Sequence, residues 1–200
     1  MSPERLAYVL AAMVVVGSVG AAIWMVGERI ADRSTVIGSG TALVGGPFTL
    51  TAHTGERVSD AGFRGRLMLV YFGYTYCPDV CPTELQVMGQ AIDLLGEEAD
   101  EVAPIFITVD PERDTREVMA AYVPFFHDRL IGLTGTPQEI AEVAKAYRIY
   151  YATVEGGEGG VYLMDHTSLV YLMGRDGRYL RHFTHGTEPR AMADAIAEAL

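Results

Sequence analysis

Leu67–Leu95 reads LMLVYFGYTYCPDVCPTELQVMGQAIDLL. Its opening run, Leu67–Tyr74, is apolar and aromatic without a break, the pattern of a strand buried on both faces. From Pro82 onward the apolar residues fall at Leu85, Val87, Met88, Ala91, Ile92 and Leu95, which predicts a helix with Pro82 in its first turn. Cys77 and Cys81 therefore stand at a strand-to-helix junction.

Working outward, Val102–Val109 predicts a second buried strand, and Thr115–Phe126 a helix opened by Asp114 as cap. Leu130–Leu133 reads as a short third strand and Pro137–Tyr147 as a helix. The acidic, glycine-rich stretch from Glu155 to Gly160 reads as a loop. Ser168–Met173 and Tyr179–Phe183 flank Gly174-Arg-Asp-Gly177, a hairpin turn signal, and Glu188–Leu200 closes as an amphipathic helix. Upstream, Phe48–Thr51 and Arg57–Ser59 form a hairpin turning at Gly55. Strands alternating with helices, then a terminal hairpin and helix, give an α/β layer fold with a mixed central sheet, in thioredoxin-like order.

Leu6–Val26 carries no formal charge over 21 residues, the length an α-helix needs to cross a bilayer, with Trp24 near its far end. This predicts one N-terminal transmembrane helix; a cleaved signal peptide is the competing reading. Arg5 on one side nearly balances Arg29 and Arg33 on the other, so charge does not set the orientation. The short stub ahead of the helix, with no Arg- and Ser-rich transit peptide, points to a single-pass bacterial inner-membrane protein with its globular part in the periplasm. The expected organisation is an anchor over 1–27, a linker over 28–46 and one domain over 47–200.

Half of the 200 residues are hydrophobic and the formal net charge is -11. A packed core is available, and nucleic acid is excluded as a partner because no Lys/Arg cluster exists to meet phosphates. Two cysteines are too few for a disulfide scaffold and form a local pair.

The Cys-x-x-x-Cys spacing brings both sulfurs to one side of a helical turn, and the helix N-terminus favours thiolate. Three readings stand: a structural disulfide, a redox pair, or a metal site. Two thiolates suit Cu(I), and an imidazole is the usual third ligand. His166, in Asp165-His-Thr-Ser, lies where the chain can return to the cysteine end of the sheet, with Asp165 available to orient it. His182 and His185, at i and i+3, read as surface histidines, and Met164 and Met173 as gap-fillers of the core. As functional classes, a copper-binding protein, a thiol–disulfide oxidoreductase and a redox or metal sensor all remain.

YFGYTYCPDVCPTEL at Tyr71–Leu85 closely resembles the signature of the Sco/SenC family, membrane-anchored copper proteins of cytochrome c oxidase assembly. Phe48-Thr-Leu with Gly55, Thr108-Val-Asp-Pro-Glu-Arg-Asp-Thr115 and Asp165-His-Thr-Ser168 follow in that family's order, from about Pro47 to the C-terminus. The resemblance implies a thioredoxin-like domain and Cys77, Cys81 and His166 as copper ligands. It implies delivery of copper to the CuA centre of cytochrome c oxidase, with the copper-bearing subunit and other copper chaperones as partners. It also permits a reductase acting on the recipient's cysteines through Cys77 and Cys81. The role of Asp110–Asp114 does not follow from the motif.

Overall fold

In a computed structural model, which describes residues 43–155 and 162–200, the central strand is the one the sequence marks most strongly. This strand, β3 (Leu67–Gly73), is buried at every position. It pairs in parallel with β4 (Val102–Thr108), which is equally buried, from Leu67 opposite Val102 to Gly73 opposite Thr108. Two such strands side by side need cover on both faces, which is why neither alternates polar with apolar residues.

The remaining strands are β1 (Thr49–Ala52), β2 (Arg57–Ser59), β5 (Ile131–Thr134), β6 (Tyr151–Val154), β7 (Leu163–His166), β8 (Leu169–Met173) and β9 (Tyr179–Thr184). Seven strands form one sheet in the order β2-β1-β5-β4-β3-β8-β9. The β3/β4 and β4/β5 pairs are parallel, and β1/β2, β1/β5, β3/β8 and β8/β9 are antiparallel. The expected mixed α/β sheet is present. The turn between β8 and β9 is closed by Gly177 N–H on Gly174 O at 2.7 Å, and Gly177 takes φ 75°, open to glycine at no steric cost.

Among the described residues, four α-helices accompany the sheet: α1 (Val80–Leu95), α2 (Arg116–Tyr122), α3 (Pro137–Ala146) and α4 (Pro189–Ala197). Thr136 and Glu139 cap α3 reciprocally. Helix α1 begins two residues before Pro82, so Cys81 lies inside its first turn. The expected cap of α2 is corrected: Thr115, not Asp114, accepts from Val118 N–H. The expected helix Thr115–Phe126 also ends its α-helical part at Tyr122, where Pro124 follows, and finishes as a 3-10 turn over Val123–Phe125.

Strands β6 and β7 were not legible in the sequence. They form a separate two-stranded antiparallel sheet, with Tyr151 opposite His166. The expected anchor at Leu6–Val26 lies outside the described residues; among those described, no helix is long and apolar enough to cross a membrane. Gly156–Gly160 of the expected acidic loop lie outside them too.

Candidate metal centre

Chain leaving β3 is held by a buried carboxylate. Asp114, with no exposed surface, accepts from Thr75 N–H at 3.0 Å, Thr75 Oγ1 at 2.5 Å and Thr108 Oγ1 at 2.6 Å. Burial pushes its pKa up, against the pull of these donors. A residue read as a helix cap instead ties the segment ahead of Cys77 to the end of β4. The signal lay in Thr75 and Thr108, hydroxyls beside apolar strands, which need a buried acceptor.

Cys77 is half-buried and Cys81 fully buried, and both are free thiols. The Cys81 backbone N–H points at Cys77 Sγ at 3.4 Å, as an unpaired amide in the first turn of a helix would. Hydrogen bonding from the Cys81 side chain pulls the Cys77 pKa well below the ordinary thiol range, with the Asp79 and Cys81 amides adding to it against burial. Cys81 moves the other way: its hydrogen bond to Cys77 and its burial keep the proton on its sulfur. The coupled pair thus leans in opposite directions, Cys77 toward thiolate and Cys81 toward thiol.

Close packing fixes the Cys81 sulfur. A Cβ on Gly73 would stand 2.9 Å from Cys81 Sγ and 3.1 Å from Phe106 Cε2, so only glycine leaves room for the sulfur against the sheet.

His166 ends β7 and meets this sulfur from the other side: its Nε2 lies 3.4 Å from Cys81 Sγ. Its Nδ1 faces the Thr167 carbonyl at 3.1 Å, which assigns the proton to Nδ1 and leaves the Nε2 lone pair directed at the cysteines. The rings of Tyr74 and Tyr71 stand edge-on to the imidazole, with centroids 5.9 and 6.3 Å away. Tyr71 is wholly buried, its OH 3.4 Å from Ser168 Oγ, and burial raises its pKa far above the usual phenol range. Asp165 does not orient the imidazole. It is exposed, and as His166's neighbour in the strand it projects to the opposite face.

Metal–sulfur and metal–nitrogen bonds of about 2.3 and 2.0 Å put two ligand atoms about 3.5 Å apart across a shared ion. The Cys81–His166 separation fits that spacing, and the donor set of two sulfurs and an imidazole suits copper. Among the described residues no three side chains of the ligating types already converge on one point. Cys77, outside the helix and half-exposed, accepts the Cys81 N–H at its sulfur and is the third donor beside this pair.

Other candidates fall elsewhere. His182 pairs with Tyr179 OH at 2.6 Å, and exposed His185 contacts Glu84 Oε1 at 2.6 Å. Glu84 itself is buried in α1, a pairing that neither residue advertises in sequence. Met173 is fully buried in the core, and the Met164 sulfur accepts from Thr153 Oγ1 at 3.7 Å.

Residues 38–200 match the family model described as SCO1/SenC. The chain belongs to the SCO1/SenC family. The human mitochondrial SCO1 homolog is 46% identical over 160 residues, covering 79% of this chain and 53% of its own length. This member spans about half the length of the mitochondrial relatives it matches. Copper-bound ScoI of Bradyrhizobium japonicum is similar in structure, with a TM-score of 0.74 at 45% identity over 78% of this chain and 99% of that one. BsSco, described with a disulfide switch as a member of the Sco family of cytochrome c oxidase assembly proteins, has a TM-score of 0.62 at 28% identity over 80% of this chain and 94% of its own. The SCO1/SenC domain here therefore takes the Sco fold, and that fold sets Cys77, Cys81 and His166 at one end of the sheet.

Proposed function

We propose that this chain is a copper metallochaperone that takes up copper between Cys77, Cys81 and His166 and delivers it to the CuA centre of cytochrome c oxidase. One observation carries the reading: His166 Nε2, with its proton committed to Nδ1, is aimed at Cys81 Sγ at 3.4 Å. Copper-bound ScoI supports it. Loading removes the proton that Cys81 holds, while Cys77 meets the metal already as thiolate. The same thiols must be reduced to load, and the incoming cysteines of the recipient subunit then displace them one at a time. Copper is cargo here, supplied by another copper chaperone.

In this proposal Leu6–Val26 is an uncleaved single-pass anchor in a bacterial inner membrane, residues 28–46 a tether, and residues 47–200 the periplasmic domain. The test is transfer. Copper-loaded chain is mixed with the metal-free CuA-bearing subunit, and the absorption of the dinuclear centre is followed. Growth of that absorption is expected; retention of all copper by the chain contradicts the reading.

A second reading is favoured by the split in thiol character. Cys77 thiolate attacks a disulfide of the recipient, and Cys81 resolves the mixed disulfide, leaving Cys77–Cys81 oxidised and the recipient a dithiol. Each cycle then needs an external dithiol to return two electrons. Rapid copper-free reduction of the oxidised recipient by stoichiometric chain would select this reading.

A further inference from the structure

The segment Asp110-Pro-Glu-Arg-Asp114 holds a cation that the copper reading does not use. Arg113 sends Nε to Asp110 Oδ2 and Nη1 to the Tyr162 carbonyl at 2.9 Å. Tyr162 closes the loop by donating its OH to Asp110 Oδ1 at 3.0 Å. The guanidinium carbon lies 3.7 Å from the ring centroid of Tyr162, 5.0 Å from that of Tyr76 and 5.8 Å from that of Tyr74. Arg113 is largely buried, and its Nη2 is enclosed with no hydrogen-bond partner, so the aromatic faces are what receive that edge of the cation.

These contacts join the two parts of the chain that meet at the site, which also touch through the Tyr74 ring at His166. Tyr74 and Tyr76 belong to the segment that delivers Cys77. Tyr162 immediately precedes β7, the strand that ends in His166 and, among the described residues, pairs only with β6, outside the main sheet. On its C-terminal side His166 is secured by β8, three residues on, and by Thr167 N–H on Tyr150 O at 2.9 Å. On its N-terminal side Arg113 and the Tyr162 hydroxyl on Asp110 tie the strand to the body of the domain, beside the packing of Met164 against the core. Asp110 is itself fixed, its N–H donating to Thr108 Oγ1 at 2.9 Å, the hydroxyl that also reaches Asp114.

We propose that Arg113 is a positioning residue for His166: a guanidinium strut between the Tyr74–Cys77 segment and β7 that holds the imidazole over the cysteines. The strut rests on the copper reading only for its second readout. A lysine cannot replace it, because a point charge cannot bond Asp110 and the Tyr162 carbonyl while stacking on the ring.

The experiment uses the full reduced chain, wild type and with Arg113→Gln, Arg113→Lys or Tyr162→Phe. Amide hydrogen exchange is read at Leu163–His166 and at β3 and β4 without metal. Nitrogen hyperfine coupling is read after Cu(II) loading. Arg113→Gln is expected to speed exchange in β7 about thirtyfold with β3 and β4 unchanged, and to weaken the nitrogen coupling toward that of His166→Ala. Arg113→Lys falls between, and Tyr162→Phe speeds β7 about fivefold. Unchanged β7 exchange in Arg113→Gln overturns the strut. If Arg113→Gln loosens the whole domain, Tyr162→Phe decides, and unchanged β7 exchange there overturns it. Should the wild type bind no copper, the copper reading fails, while the exchange comparison still decides the strut.

Discussion

His166 Nε2 stands 3.4 Å from Cys81 Sγ while His166 Nδ1 is occupied by the Thr167 carbonyl. The imidazole and the buried sulfur thus face each other, with half-buried Cys77 beside them ahead of the helix. The asymmetry of the two thiols follows from the hydrogen bond between them and from the burial of Cys81.

Cys77 is held below the ordinary thiol range and Cys81 above it. In the metal-free reduced protein, alkylation of Cys77 by iodoacetamide is expected to stay nearly constant from about pH 5 to 8, where an ordinary thiol would speed up roughly a thousandfold. Cys81 stays unmodified over that range until the protein unfolds. The sign for stability is opposite at the two groups. The depressed Cys77 favours the fold above its unfolded pKa and loses that contribution as pH falls toward its folded value. The raised Cys81 favours the fold below its unfolded pKa and loses it as pH rises toward its folded value. Mass spectrometry of the modified peptides reads both rates; equal rates at both cysteines would contradict the assignment.

Asp114 accepts two hydroxyls and one amide in a site closed to water. Asp114→Ala leaves these donors without an acceptor and is expected to cost about 3 kcal/mol in chemical denaturation. Because Thr75 is released, the Cys77 segment should also become protease-sensitive. A loss of only a few tenths of a kcal/mol would show that the carboxylate is not the anchor.

Gly73→Ala tests the packing of the Cys81 sulfur. The new methyl would sit 2.9 Å from Sγ, with Phe106 and Tyr71 ring carbons each 3.1 Å away. Neighbours so rigid cannot yield cheaply, so a loss of about 1–3 kcal/mol is expected, together with weaker copper retention. Wild-type stability and retention would mean that the strand relaxes away.

Glu84 is buried in α1 and meets exposed His185 across the interior edge of the domain. His185→Ala strands that carboxylate and should cost about 1–3 kcal/mol, whereas Glu84→Gln together with His185→Ala should restore part of the loss. A double-mutant cycle in urea measures the coupling, and additive losses would exclude it.

The sheet was legible because β3 and β4 are buried from end to end, and such strands must be written in apolar residues at every position. The junction that carries the cysteines was legible for the same reason, since Pro82 and the stripe from Leu85 to Leu95 mark where the helix starts. Strands β6 and β7 were hidden: each has four residues, among the described residues they pair only with each other, and burial writes no alternation into them. His166 was singled out by its place in the chain together with the family resemblance, but its hydrogen bond to Thr167 O was not, because a backbone carbonyl leaves no trace in residue identity. Asp114 was misjudged as a cap for a related reason. A carboxylate just before a helix satisfies the capping rule locally, and only the return of Thr75 to β4 shows that its oxygens are engaged elsewhere.

The most direct test of the central claim is copper binding by the purified, reduced chain beside Cys77→Ser, Cys81→Ser and His166→Ala, by competition against a copper chelator with electron paramagnetic resonance of the Cu(II) form. The account predicts one copper per wild-type chain with nitrogen coupling from one imidazole, and a loss of at least about a hundredfold in affinity for each substitution. A wild-type chain that binds no stoichiometric copper, or a His166→Ala chain that binds it as tightly and with the same nitrogen coupling, would contradict it.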